Sequence, residues 1–83
     1  MKILYFARVR EDIGKSEEDV LLPENVKTVG ALLAHLSDQS EAHQQALADK
    51  DQIRIAVNQE YVDEDHPVTN ADEVAIFPPM TGG

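Results

Sequence analysis

The sequence predicts an α+β domain, with helices grouped on one face of a mixed sheet. Three observations carry that expectation. Ile53, Ile55 and Val57 alternate with Gln52, Arg54 and Ala56, the period of a half-buried strand. Val29, Leu32, Leu33 and Leu36 fall at i, i+3, i+4 and i+7, the spacing of one buried helical face. Residues 2–9 (KILYFARV) are rich in aromatic and β-branched types and read as a strand.

Taken in order, the strand at 2–9 leads to a polar turn at Gly14 and Lys15. Residues 17–22 (EEDVLL) read as a second strand ended by Pro23, and the two runs fit a hairpin with a loop of moderate length. Thr28 offers an N-cap for the helix that begins at Val29. Ser40 offers another, for a weaker helix over 41–48 in which Ala42, Ala46 and Leu47 make a poor stripe. The strand at 52–57 follows. Asn58-Gln59 suits a turn, because Asn tolerates a left-handed backbone. Tyr61-Val62 is a short strand, and Asp63 to Pro67 a polar loop. Residues 73–77 (EVAIF) form the last strand. Pro78-Pro79 must end it, since neither has an N–H for the ladder. The expected order is β-β-α-(α)-β-β-β, a body at 1–77 and an extended tail at 78–83.

Size and charge narrow the function. A chain of 83 residues makes one domain, and at that size only about 60% of the unfolded surface is buried. Little room is left for a deep substrate pocket, which favours work done by docking. The formal charge is −9, from 16 acidic and 7 basic residues. Such a chain is repelled by phosphate backbones and anionic lipid, so neither nucleic acid nor membrane is an expected partner. A partner with a basic surface is. There is no cysteine, which excludes disulfides, thiolate metal sites and a cysteine nucleophile. The apolar run at the N-terminus is short and broken by Arg8, a poor signal peptide. A soluble cytoplasmic protein is the expectation.

The chemistry points to the last six residues, Pro78-Pro79-Met80-Thr81-Gly82-Gly83. Two prolines stiffen the exit from the sheet. Fully extended, the tail reaches ~20 Å at ~3.3–3.6 Å per residue. Gly82 and Gly83 carry no side chain, so they can thread a narrow channel and deliver a carboxylate to another protein's active site. A free carboxylate is a poor electrophile and needs activation, for which acyl-adenylate formation with ATP is the usual route. The chain has no Gly-rich phosphate loop and no lysine placed to cradle a triphosphate. No cofactor is therefore expected to be bound, and a partner enzyme must supply the ATP site.

These residues resemble the small subunit of molybdopterin synthase. The resemblance lies in the ending Asp72-Glu73-Val74-Ala75-Ile76-Phe77-Pro78-Pro79-Met80-Thr81-Gly82-Gly83, in Ala56-Val57-Asn58-Gln59-Glu60-Tyr61-Val62, and in Phe6-Ala7-Arg8-Val9-Arg10. It covers nearly the whole chain. One departure is Asn70-Ala71-Asp72, where that family more often has a glycine before the acidic pair. The resemblance implies a ubiquitin-like β-grasp fold with the first and last strands parallel at the sheet's centre. It implies that Gly83 is adenylated by an enzyme of the ubiquitin-activating type and converted to a thiocarboxylate. The tail then enters the large synthase subunit, where the sulfur passes to cyclic pyranopterin monophosphate. The chain would be a non-catalytic, sulfur-donating member of a heterotetramer.

Strand alternation separates Leu4 and Phe6 from Ile3 and Tyr5, and Ala75 and Phe77 from Val74 and Ile76. If the outer strands of the sequence are neighbours in the sheet, Leu4, Phe6, Ala75 and Phe77 form one apolar patch at the root of the tail. Such patches often mark partner sites. Phe6 and Phe77 are expected to anchor docking, with Pro78, Pro79, Met80 and Thr81 continuing the contact and Gly82 and Gly83 carrying the chemistry.

Other signals read as structure. His35, His43 and His66 are surface or partly buried histidines with no metal-ligand spacing. Asp63, Glu64 and Asp65 lack the glycine and closing Glu of a calcium loop and read as a solvated turn. Glu17, Glu18 and Asp19 read as an exposed strand edge, charged against sheet-to-sheet pairing. Two other functions share the tail: a ubiquitin-like protein modifier, and the thiamine-pathway sulfur carrier.

Overall fold

The computed structural model describes residues 1–79. Its elements run β1 (Lys2–Tyr5), α1 (Ala7–Ile13), β2 (Glu17–Asp19), α2 (Val29–Ser37), α3 (Glu41–Leu47), β3 (Arg54–Val57), β4 (Glu60–Val62) and β5 (Glu73–Phe77), with one 3-10 turn at Lys50–Gln52. The five strands form one sheet in the order β2-β1-β5-β3-β4. Strands β1 and β5 are parallel, with Tyr5 opposite Ile76. The other pairings are antiparallel. The α+β class, the mixed sheet and the parallel pair of first and last strands are as expected.

The largest departure lies between the first two strands. The expected strand at 2–9 stops at Tyr5, and residues 7–13 are helical. Val9 and Ile13 are buried four residues apart, and Arg8 bonds Asp12 on the opposite side at 2.9 Å. That is a one-sided helix of a single apolar pair, and aromatic and β-branched content at 3–9 masks it. The break comes at Ala7, whose φ is +51°, a left-handed conformation that ends the ladder. Gly14 closes the helix at φ +87°, its N–H donating to the Arg10 carbonyl. The two strands do pair as predicted, but a helix occupies the loop.

The second strand is shorter than 17–22. Beyond Asp19 the Leu22 N–H leaves the sheet for the Asn70 side chain at 2.8 Å, and Leu21 is exposed. The strand expected from residue 52 starts at Arg54, because Asp49 caps the 3-10 turn before it.

Both helix caps behave as expected. The Thr28 hydroxyl accepts from the Ala31 N–H at 3.2 Å, and the Ser40 hydroxyl from the His43 N–H at 3.1 Å. The inner sheet face supplies Ile3, Tyr5, Ile55, Val57, Val74 and Ile76 to the core, against Val29, Leu32, Leu33 and Leu36 of α2. Asn58 and Gln59 have φ of +50° and +72°, the doubly left-handed pair that a tight type I′ hairpin turn needs. Asn58 does more than turn. Its amide donates to Asp72 at 2.9 Å and its carbonyl accepts from the Glu73 N–H at 3.0 Å, which clamps the turn to the start of β5.

Candidate functional site: the outer sheet face and the root of the tail

Residues opposite one another in neighbouring strands point to the same face, so the register lays out the outer surface in rows. One row runs Glu17, Leu4, Ala75, Ala56, Tyr61. The next holds Phe77 beside Arg54. Phe6 continues β1 alongside, its N–H donating to the Ile76 carbonyl at 3.1 Å. The predicted patch is therefore assembled: Leu4 faces Ala75, and Phe6 stands next to Phe77 where β5 ends.

The exposures fit a surface that is apolar without being core. Ile3, Tyr5, Val74 and Ile76, on the other face, are at most 1% exposed, while Phe6 is 45% exposed. Leu4, Ala75, Phe77, Pro78 and Pro79 are half-buried. Phe6 and Phe77 thus stand outside the core. The fold leaves both where a partner can cover them. Met80, Thr81, Gly82 and Gly83 lie outside the described residues.

Two residues of this face went unnoticed in the sequence. Tyr61, 80% exposed, packs its ring against Phe77 with centroids 5.6 Å apart and planes at 41°. Arg54 joins them around a shallow depression of about 260 Å³ lined also by Ile55, Val62 and Pro79. Tyr61 stands one place past the hairpin turn's closing residue, so the turn sets its face; only the β3–β4 register brings it beside Phe77.

The far end of the face is charged. Lys2 pairs with Glu17 at 3.2 Å. The hydrogen bond and charge of Glu17, helped by Glu73 and Asp19, hold its ammonium above the usual lysine value.

Glu18 corrects the expected edge. Glu17 and Asp19 are exposed, but Glu18 turns inward. Its Oε2 accepts from the Tyr5 hydroxyl at 2.5 Å and lies 2.7 Å from His43 Nε2. His43 is buried, and its Nδ1 lies 2.7 Å from the Ser40 hydroxyl. Burial pushes the Glu18 carboxyl up, but the bonds from His43 and Tyr5 outweigh it and hold it below the ordinary carboxylate range. Burial, with the bond to Glu18, pushes the Tyr5 phenol far above its usual value. This chain of groups ties the edge strand to α3 on the inner face of the sheet.

Among the described residues no group of three His, Cys, Asp or Glu side chains could hold a metal ion. No helix among them is long and apolar enough to cross a membrane.

A five-stranded mixed sheet with parallel first and last strands, helices on one face and an apolar patch on the other where β5 ends, ahead of a Gly-Gly terminus, defines a ubiquitin-like β-grasp protein. The chain belongs to the ThiS family, whose model matches residues 3–83. It is 46% identical over 83 residues to the molybdopterin synthase sulfur carrier subunit of Escherichia coli, covering 100% of this chain and 99% of that one. Its fold is similar to that of H. volcanii small archaeal modifier protein 1, with a TM-score of 0.75 at 28% identity over 96% of this chain and 97% of the other. It is also similar in fold to a chain of the solved complex of subunits 1 and 2 of molybdopterin-converting factor from Helicobacter pylori, with a TM-score of 0.67 at 19% identity over 99% and 96%.

Proposed function

We propose that this chain is the sulfur carrier subunit of a molybdopterin synthase, a donor of sulfur with no catalytic centre of its own. The observation that carries the reading is the end-to-end likeness to a carrier of that name, running through the Gly-Gly terminus. The body at 1–77 docks, and the tail at 78–83 delivers. An enzyme of the ubiquitin-activating type binds ATP and adenylates the Gly83 carboxylate, releasing pyrophosphate. A sulfur donor then displaces AMP and leaves a thiocarboxylate. The thiocarboxylate enters the large synthase subunit, where its sulfur is transferred to cyclic pyranopterin monophosphate.

Each part of the chain has a physical task in this scheme. Phe6, Phe77 and Tyr61 supply apolar area that a partner can cover. Pro78 and Pro79 stiffen the start of the tail, which lowers the entropy lost on insertion. Met80 and Thr81 continue the contact with the partner, and Gly82 and Gly83 keep the end of the tail thin.

Mass spectrometry of the chain purified from its own cells tests the reading. A carrier shows oxygen-to-sulfur exchange at Gly83, and removal of Gly83 abolishes cofactor synthesis. Full synthesis without that residue would sink the proposal. The fold shared with a protein named as a modifier supports a second reading, in which Gly83 is joined to lysines of other proteins. Isopeptide remnants of this tail on cellular proteins identify that case. Co-purification with a pterin-transferring large subunit separates the first reading from a thiamine-pathway carrier.

A further inference from the structure

Arg54 is out of pattern on this surface. The chain carries a net charge of −9, so a partner matched to it as a whole is basic. A cation in the middle of the docking face would meet that partner with repulsion unless one local feature reverses the sign.

The geometry leaves Arg54 ready for such a feature. It is exposed and directly opposite Phe77, so it shares the outer face. Its Nη1 donates to the Ile53 carbonyl at 2.9 Å and to the Asp51 carbonyl at 3.5 Å. Those bonds steady the guanidinium through one nitrogen. Nε and Nη2, the side-on edge that a carboxylate takes with two parallel bonds, have no acceptor among the described residues. Nor does Arg54 form an ion pair there. Lys2 is held by Glu17, and Glu64, which lines an adjoining hollow with Arg54 and Asp63, is held by Lys50 at 2.8 Å.

The depression beside Arg54 is walled mainly by apolar side chains, those of Ile55, Tyr61, Val62, Phe77 and Pro79. It is continuous with the root of the tail. A carboxylate entering it would be partly desolvated, which strengthens its attraction to the guanidinium.

We infer that Arg54 is a specificity-determining residue of the docking face and receives an aspartate or glutamate of the large subunit in the depression beside it, along the packed pair of Tyr61 and Phe77. The inference rests on the docking role proposed for this face. The charge sets register: an acidic residue of the partner must meet Arg54 while basic ones meet the Glu17, Asp19 and Glu73 end. A partner lacking the carboxylate is rejected.

The test is a binding titration of the full-length chain and its variants against the cognate large subunit, at low and high salt. Arg54→Glu is expected to weaken binding roughly tenfold or more at low salt and less at high salt. Arg54→Gln is expected to fall between, with the melting temperatures of both variants unchanged because the side chain is exposed. One acidic-to-lysine change on the contact surface of the large subunit should restore Arg54→Glu. If Arg54→Glu binds like the parent while Phe77→Ala binds poorly, the charge pairing is wrong and the docking face stands. A loss in Arg54→Glu that no acidic-to-lysine change relieves also overturns the pairing. If Phe77→Ala binds like the parent, the docking role fails, and this inference with it.

Discussion

Replacing Glu18 by alanine removes one carboxylate and strands two buried partners. The Tyr5 side chain is almost wholly buried, and His43 is 5% exposed. Each donates to the same carboxylate oxygen. A hydrogen bond to a charged acceptor contributes about 1.5–3 kcal/mol. Glu18 itself is 17% exposed, so water enters the vacated space and recovers part of the loss. The expected destabilisation is about 3 kcal/mol. For a domain of this size that lowers the melting temperature by roughly 12–24 °C. The sign of the pH dependence follows from the direction of the carboxyl's shift. Held below its ordinary value in the fold, Glu18 stabilises above the unfolded carboxylate pKa and loses that contribution as pH falls through its folded value. The gap between parent and variant is therefore full at pH 7 and narrows on acidification below about pH 4. Chemical denaturation of both chains at pH 7, 5 and 3 measures it. A variant within about 0.5 kcal/mol of the parent at pH 7, the range of an ordinary surface change, would refute the coupling described here.

Three further outcomes are expected. Gln59→Gly relieves a left-handed side-chain residue in the hairpin turn and is expected to add up to about 1 kcal/mol in urea unfolding. Leu32→Ala empties a fully buried site on α2 and costs about 2–5 kcal/mol, read as a lower denaturation midpoint at constant slope. Asp72→Ala removes the acceptor of Asn58 and of the Thr69 N–H. The bond from Asn58 and then that from Thr69 hold the Asp72 carboxyl below its usual value, so the loss appears above that value and fades in acid, and faster amide exchange at Thr69 reports it.

What the residues determined alone was periodic and local. The i, i+3, i+4, i+7 stripe of α2, the alternation of Ile53, Ile55 and Val57, the caps at Thr28 and Ser40 and the stop at Pro78-Pro79 each depend on neighbours within one or two turns. Alternation also separated Leu4, Phe6, Ala75 and Phe77 from the core, because strand period is insensitive to what the strand packs on. The helix at 7–13 was hidden, since one buried pair, Val9 and Ile13, is too short a signal against strand-favouring residues beside it. Its start depends on a single left-handed alanine, a strain held only by the finished fold. Glu18 inside an edge strand, His43 beneath it, and Tyr61 and Arg54 flanking Phe77 were decided by tertiary structure. Each is a meeting of groups far apart in the chain. Register between strands sets such meetings, and register is fixed by the whole sheet burying one face at once.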